Sequence, residues 1–175
     1  MAGVDVMARR ALPAAPARVF EFLADLHNHW LLQDRFVELG GLDGDEGSTP
    51  LGGQVRLKGP VGIRREARTR ALSARPPGQG VPERLLGRAD VGTGTTGRIS
   101  WEIDGDGDGS VATLAAVVER ASLLDRVLLL LGRWWLQRTF DQALVNLDRI
   151  LTVAAPAPVA GSMPHPRAGK RQAQC

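Results

Sequence analysis

The chain has 175 residues, 43% of them apolar and 23% charged, with a formal net charge of +3 at neutral pH. This size and composition suit one globular domain with a hydrophobic core and argue against two domains of ordinary size. Cys175 is the only cysteine, which excludes an intramolecular disulfide and a zinc site built from cysteines. Tyrosine is absent and histidine occurs three times, so few side chains could transfer protons near neutral pH.

The sequence contains no long apolar segment. Its most apolar run, Val127–Leu131, has five residues, whereas a helix that spans a bilayer needs about 20. The N-terminal residues also lack the apolar stretch of a secretion signal. We therefore expect a cytoplasmic protein, with a peripheral position at a membrane as the alternative.

The first part of the chain predicts one strand followed by two short helices. Val4–Leu12 has the pattern of a strand, and Pro13–Pro16 then opens a helix. The apolar residues of this helix recur at helical spacing, at Val19, Phe20, Leu23 and Leu26. His27–Phe36 predicts a second short helix, and Gly40–Gly41 with the following residues 43–53 predicts a break.

The middle of the chain predicts an antiparallel sheet. Five strand-length runs are separated by turns that contain glycine or proline: Gln54–Gly59, Ile63–Ala74, Val81–Val91, Arg98–Asp104 and Ser110–Ala121. Ile99, Trp101 and Ile103 alternate with polar residues. Such alternation predicts a sheet with one covered face and one wet face.

Residues 122–153 predict one long helix that closes the domain. Ser122 is the predicted N-cap, and Asp125 lies at the third helical position. One apolar stripe should lie on the sheet: Leu129, Leu136, Phe140, Leu144, Leu147 and Leu151. A second stripe points elsewhere and is a candidate dimer contact, cavity gate or membrane surface, with burial under the short helices as the alternative: Val127, Leu128, Leu131, Trp134 and Trp135.

The last 22 residues differ in composition from the rest. Residues 154–175 are rich in proline and alanine and carry Lys170 and Arg171 near the end. This composition predicts a disordered basic tail beside a single domain formed by residues 1–153.

Two glycine-rich motifs resemble ligand-binding loops. Gly92–Gly97 matches G-x-G-x-x-G, but a predicted strand follows it, whereas a dinucleotide site requires a helix. Asp104–Gly109 resembles the start of a calcium loop, but Ala115 stands where the bidentate glutamate belongs. We interpret both motifs as hairpin turns, and we expect no cofactor.

The histidines and arginines have structural interpretations. His27 and His29 lie two residues apart on a predicted helix, so their rings face different directions, and helix capping or a surface position is favoured over a metal site. Five arginines are expected on the wet face of the sheet: Arg64, Arg68, Arg70, Arg84 and Arg88. No aromatic residues interleave with them, so we predict no nucleic-acid partner.

The order of the predicted elements and one motif suggest a family. The segment Ala14–Asp25 reads AAPARVFEFLAD and is similar to the opening motif A-P-x-x-V-F-x-x-L-x-D of the START and birch-pollen-allergen (SRPBCC) superfamily, especially its bacterial polyketide cyclase/dehydrase and lipid-transport-like branch. Trp30 and the closing Phe140–Leu151 agree with that pattern. The resemblance implies an α+β helix-grip fold, in which a curved antiparallel sheet of about seven strands wraps around the long C-terminal helix and encloses a cavity for a small molecule.

This resemblance leads to a set of candidate ligand-binding residues: Trp30, Trp101, Glu119, Leu136, Phe140 and Leu144. Glu119 is included because strand alternation places it on the same face as Val117. Small residues that we expect to face inward would leave room for a ligand: Ala67, Thr69, Ala71, Ala89, Thr113 and Ala115.

Three functions are compatible with this pattern. The leading hypothesis is the binding or transport of a hydrophobic molecule, lipid-like or aromatic and polyketide-like. The first alternative is a polyketide cyclase, aromatase or dehydratase, for which no catalytic residue is assigned. The second alternative is a module that binds a membrane surface or a protein.

Overall fold

The computed structural model describes residues 5–32, 37–43, 52–59, 62, 64–75, 83–92 and 94–153. The predicted tail, residues 154–175, lies outside these ranges.

Seven strands and three helices make up the described residues. The strands are β1 (Asp5–Leu12), β2 (Val37–Asp43), β3 (Gly52–Lys58), β4 (Arg64–Arg75), β5 (Glu83–Val91), β6 (Thr95–Asp106) and β7 (Gly109–Arg120). The helices are α1 (Pro16–Ala24), α2 (Leu26–Leu32) and α3 (Leu123–Val153). All strands pair antiparallel in one sheet of order β1-β7-β6-β5-β4-β3-β2. This arrangement confirms the predicted α+β helix-grip fold.

Strand β2 is the element that the sequence pattern did not predict. Gly40 and Gly41 were expected to interrupt the regular secondary structure, but they lie inside β2. The register of β2 with β3 shifts between Leu39 and Gly41. This shift is a β-bulge, which glycine accommodates easily. The second short helix is also shorter than expected, because it ends at Leu32 and residues 33–36 lie outside the described ranges.

The two glycine-rich motifs form hairpin turns, as predicted. Gly92 lies between β5 and β6 with a φ of 54°, and Gly107 lies between β6 and β7 with a φ of 60°. Both glycines adopt the left-handed region, which tight hairpin turns require and which other residues rarely enter.

Helix α1 covers one end of the inner face of the sheet. It begins with Pro16 at a position where the missing N–H costs nothing, and Val19 and Leu23 are almost fully buried. The buried Ser110 hydroxyl of β7 donates a hydrogen bond of 2.8 Å to the Ala14 carbonyl. The start of α1 is therefore tied directly to the sheet.

The second half of α3 packs against β1 and α2. Its predicted stripe is buried, since Leu144 and Leu147 are at most 1% exposed. Arg10 of β1 forms an ion pair of 2.9 Å with Asp148, and the Asn146 side chain donates a hydrogen bond of 2.9 Å to the last residue of α2. The C-terminal half of the helix is therefore anchored at the β1 edge of the sheet.

The first turn of α3 is anchored on the same inner face of the sheet, but farther from the β1 edge. Ser122 is the N-cap, as predicted, because its hydroxyl accepts a hydrogen bond of 3.1 Å from the Asp125 backbone N–H. The Asp125 carboxylate accepts hydrogen bonds from the Thr95 hydroxyl of β6 and the Arg65 guanidinium of β4. We call this set of three residues, Asp125, Thr95 and Arg65, the helix anchor. The helix therefore crosses the inner face of the sheet from β4 to β1.

The helix anchor changes the titration of Asp125. The pKa of Asp125 is lowered, mainly by the hydrogen bond from the Thr95 hydroxyl. The Ser122 hydroxyl and the positive charge of Arg65 lower it further, while burial of the carboxylate opposes these effects. The carboxylate therefore stabilises the fold above the ordinary aspartate pKa of about 4. This contribution is lost as the pH falls through the lowered pKa.

We expect Asp125→Ala to lower the free energy of unfolding at neutral pH by about 2 kcal/mol, because it leaves Thr95 and Arg65 without their shared acceptor. Chemical denaturation at several pH values measures this loss, which should shrink below about pH 4. Asp90→Ala, which removes an exposed ion pair with Arg88, is the control and should cost less than about 1 kcal/mol. A loss that stays constant with pH would contradict the role assigned to the carboxylate.

Candidate functional site

The inner face of the central strands carries small residues. The strand register places Gly53, Thr69, Ala89 and Gly97 next to one another across β3, β4, β5 and β6. In the adjacent inward-facing row, Ala71 pairs with Gly87 and Gly87 with Ile99. Most of these positions are glycine or alanine, so little side-chain volume rises from this part of the sheet.

This part of the inner face is also incompletely buried. Gly87 and Ala89 on β5, the middle strand, remain half-exposed, whereas Ala112 and Leu114 on β7 are at most 2% exposed. In a solid core the middle strand would be the most deeply buried. The sheet therefore has a recess beside its closely packed part, and we define this inner recess by its half-exposed or exposed inward residues: Thr69, Ala71, Gly87, Ala89, Gly97 and Ile99.

Helix α3 passes over this region with a glycine on its inner side. Gly132 is buried, and it lies on the same side of the helix as Asp125 and Leu136 at 100° per residue. Among the described residues, a Cβ atom added to Gly132 would meet no heavy atom within 4 Å apart from the backbone of the helix itself. The space under the middle of α3 is therefore open, although solvent hardly reaches Gly132.

Four of the six predicted ligand-binding residues lie together. Trp101, Phe140 and Leu144 belong to the buried core, and Leu136 packs against that core while remaining half-buried. Because Trp101 neighbours Ile99 along the inner face of β6, this cluster forms one end of the inner recess. These four residues pack in or against the core. Leu136 is the one of them whose side chain remains partly exposed.

Glu119 and Trp30 are not brought into this cluster by the described side chains. Glu119 lies with Val117 on the outer face of β7, where its carboxylate accepts a hydrogen bond of 2.8 Å from Arg98. The backbone of Trp30 lies in α2, and its side chain is outside the part that the structure describes.

The set of small inward residues needs one correction. Ala67, Thr69, Ala71 and Ala89 face inward as predicted, but Thr113 and Ala115 face outward, opposite the outer-face residues of β6. The inward residues of β7 are the intervening ones, such as Ala112 and Leu114. Gly87, Gly97 and Gly132 were not predicted as site residues, because a glycine contributes no side chain that would mark a binding position in a sequence.

The two histidines of α2 have structural roles. The Asp25 carboxylate accepts hydrogen bonds of 2.9 Å from both the backbone N–H and the ring of His27. Asp25 therefore caps the start of α2. The Nε2 atom of His29 donates to the Leu23 carbonyl at 2.5 Å, and its ring packs edge-on against Trp101. Burial lowers the pKa of His29, so the ring is neutral at neutral pH. No group of three or more metal-binding side chains occurs within the described residues.

The arginines predicted on the outer face of the sheet are exposed there. Several of them pair with acidic neighbours: Arg68 with Asp43, Arg84 with Glu102 and Arg88 with Asp90. The basic character of this face is therefore partly neutralised.

The second apolar stripe of α3 is mostly exposed. Val127, Leu131 and Trp134 are more than half exposed, while Leu128 and Trp135 are not part of this strongly exposed set. Two further leucines, Leu123 and Leu130, share the exposed side. We define the outer face of α3 as five residues that are 53% to 80% exposed: Leu123, Val127, Leu130, Leu131 and Trp134. Across the described ranges, no helix is both long and apolar enough to cross a membrane.

Glu83 is a buried carboxyl on the inner face, at the start of β5. It is 3% exposed, it pairs through the backbone with Ile103, and its Oε2 atom has no hydrogen-bond partner within the described part of the chain. Burial raises the pKa of Glu83. The folded state therefore favours the neutral form of the carboxyl. The free energy of unfolding falls as the pH rises through that raised pKa.

We expect Glu83→Gln to be more stable than the native chain by roughly 1 kcal/mol near pH 8, because the amide removes a buried charge. The difference should vanish near pH 4, where the carboxyl is neutral in the folded state. Thermal unfolding at the two pH values measures it, with the exposed Glu66→Gln as control. A native chain that is the more stable one near pH 8 would show that the carboxylate has a partner.

The comparisons with known proteins concern the fold. No protein-family model matches the sequence, and no curated protein matches it either. The NMR structure of KanY superimposes with a TM-score of 0.63 at 17% sequence identity, over 87% of this chain and 99% of KanY. The crystal structure of TTHA0849 from Thermus thermophilus superimposes with a TM-score of 0.61 at 18% identity, over 87% of this chain and 100% of the other.

A START superfamily protein from Mycobacterium smegmatis is also similar, with a TM-score of 0.52 at 10% identity over 84% of this chain and 93% of that protein. The sheet order, the long closing helix and these similarities together confirm that the chain has the START-like helix-grip fold implied by its sequence.

Proposed function

We propose that the protein binds or transports a hydrophobic small molecule in the inner recess beneath α3. The observation that carries this proposal is the space under Gly132, a buried position at which an added Cβ atom would touch no described residue outside the helix backbone. The half-exposed Gly87 and Ala89 of the middle strand face the same region. Both observations support a gap between helix and sheet rather than a filled core.

The chemistry of the recess favours an apolar ligand. Its floor is made of glycine, alanine and isoleucine, and Thr69 is its one hydroxyl, already donating a hydrogen bond to the Gly53 carbonyl. The nearest charged groups, Arg65 and Asp125, are paired with each other. A row of four strands spans about 14 Å, which suits a flat aromatic molecule or a lipid-like chain.

A binding function explains the described side chains better than catalysis by a polyketide cyclase, aromatase or dehydratase. General acid–base catalysis needs a titratable group within reach of the substrate. The histidine nearest the recess, His29, donates to a backbone carbonyl and packs against Trp101. Asp125 is held by the helix anchor. The buried Glu83 lies four residues from Gly87 along β5, about 13 Å away and outside the inner recess.

The outer face of α3 supports a second function as a contact surface. Five large apolar side chains share one exposed side of the helix, and contiguous apolar surface of this kind marks interaction sites on soluble proteins. We propose that this face makes a peripheral membrane contact or joins two copies of the chain. The cytoplasmic location stays a prediction.

We expect Gly132→Leu to abolish or strongly weaken binding of 8-anilinonaphthalene-1-sulfonate, an anionic dye whose aromatic rings fluoresce in apolar sites, because the new side chain fills the inner recess. Its thermal midpoint should not fall, because leucine is a better helix former than glycine by nearly 1 kcal/mol. Fluorescence titration measures the affinity. Native mass spectrometry of the chain expressed in bacteria tests the same prediction with any molecule that copurifies.

Gly132→Ala is the matched control, since it improves the helix while adding only a methyl group. It should keep probe binding and gain up to about 1 kcal/mol of stability. If Gly132→Leu instead destabilises the fold by about 1–3 kcal/mol, as overpacking does, the space under α3 is filled and the proposed binding site does not exist.

A further inference from the structure

The two sides of α3 face different surroundings. At 100° per residue, Asp125, Gly132 and Leu136 lie on the side that faces the sheet. The outer face, represented by Val127, Leu130 and Trp134, lies on the opposite side and points away from it. A flat partner could therefore contact the outer face along three turns of helix without touching the sheet.

The charges around the outer face are almost all positive. Between Leu123 and Phe140, α3 carries three arginines and one acidic residue, and that acidic residue, Asp125, is buried against Arg65. Arg138 is exposed and follows Trp134 by about one turn on the same side of the helix. Asp141 is the first acidic residue beyond the face.

We propose that the outer face of α3 docks on the surface of an anionic phospholipid membrane, with the helix lying in the plane of the interface. This inference rests on the contact surface proposed above and names its partner. An apolar stripe with arginines and an exposed tryptophan is the composition of interfacial helices, in which the apolar side enters the acyl boundary and the cations remain among the headgroups.

A second copy of the chain fits this face less well. In a symmetric dimer the same patch meets itself, so the arginines around one helix would approach those around the other. Anionic headgroups complement the same charges, and they accept a helix whose apolar side is only one stripe wide.

Vesicle sedimentation tests the proposal with the full chain. Vesicles of phosphatidylcholine alone are compared with vesicles of equal parts phosphatidylcholine and phosphatidylglycerol, and we expect binding to the anionic vesicles only. Leu131→Ser/Trp134→Ala should weaken this binding about tenfold without changing the thermal midpoint, since both side chains are more than half exposed. Leu72→Ser, at a leucine of β4 that is 56% exposed, is the matched apolar control and should bind like the native chain.

A charge reversal separates this face from the basic sheet. Arg138→Glu should weaken binding to anionic vesicles about tenfold, while Arg70→Glu, on the outer face of β4, should change it little. If the two charge-reversal variants lose vesicle affinity equally, the membrane contact lies on the sheet and the proposal is overturned. The proposal is also overturned if Leu131→Ser/Trp134→Ala binds the anionic vesicles as tightly as the native chain.

The oligomeric state distinguishes the two proposals. The native chain could fail to bind anionic vesicles and instead form dimers in analytical ultracentrifugation. If Leu131→Ser/Trp134→Ala converts those dimers to monomers, the partner of the contact surface is a second copy of the chain. That result overturns the membrane inference and keeps the contact surface. A monomer without affinity for the vesicles would overturn both.

Discussion

The attachment of α3 at both ends is the constraint on which the rest of the structure depends. Asp148 pairs with β1 at one edge of the sheet, and Asp125 is held by β4 and β6 on the other side. Between these points the helix has to span the inner face as a bridge. A helix fixed only at its C-terminal half could settle onto the sheet and close any gap beneath it.

Small residues keep the space under this bridge open. Glycine and alanine occupy the central rows of β4, β5 and β6, while larger residues such as Trp101 and Leu114 fill the part covered by α1 and the second half of α3. The core is therefore displaced toward the β1 edge. The same division explains how a well-packed fold can leave room for the proposed ligand site.

Much of the fold follows from the sequence, because alternation and helical spacing are strong where one face is apolar and the other polar. Residues 99–103 of β6 and the stripe that includes Phe140 and Leu147 are examples. Strand β2 was missed because Gly40–Gly41 interrupts its pattern, and such a pair resembles a turn unless the neighbouring strand is known.

The candidate site was harder to predict for a different physical reason. Strand β7 is apolar on both faces, with Val111 and Val117 on one and Ala112 and Leu114 on the other. Its inward side could not be identified by alternation, so Thr113, Ala115 and Glu119 were assigned to the interior. The open positions are mostly glycines, and a glycine in a sequence does not reveal whether it marks a turn or an empty space.

The position of Gly132 has a mechanical consequence. Glycine is among the weakest helix formers, and here it lies between the two attachments, where no described residue beneath the helix lies within 4 Å of an added Cβ atom. Bending of α3 is therefore easiest at this point. A bend at Gly132 would displace only the segment before it, and the helix anchor is the set of contacts that opposes such a displacement.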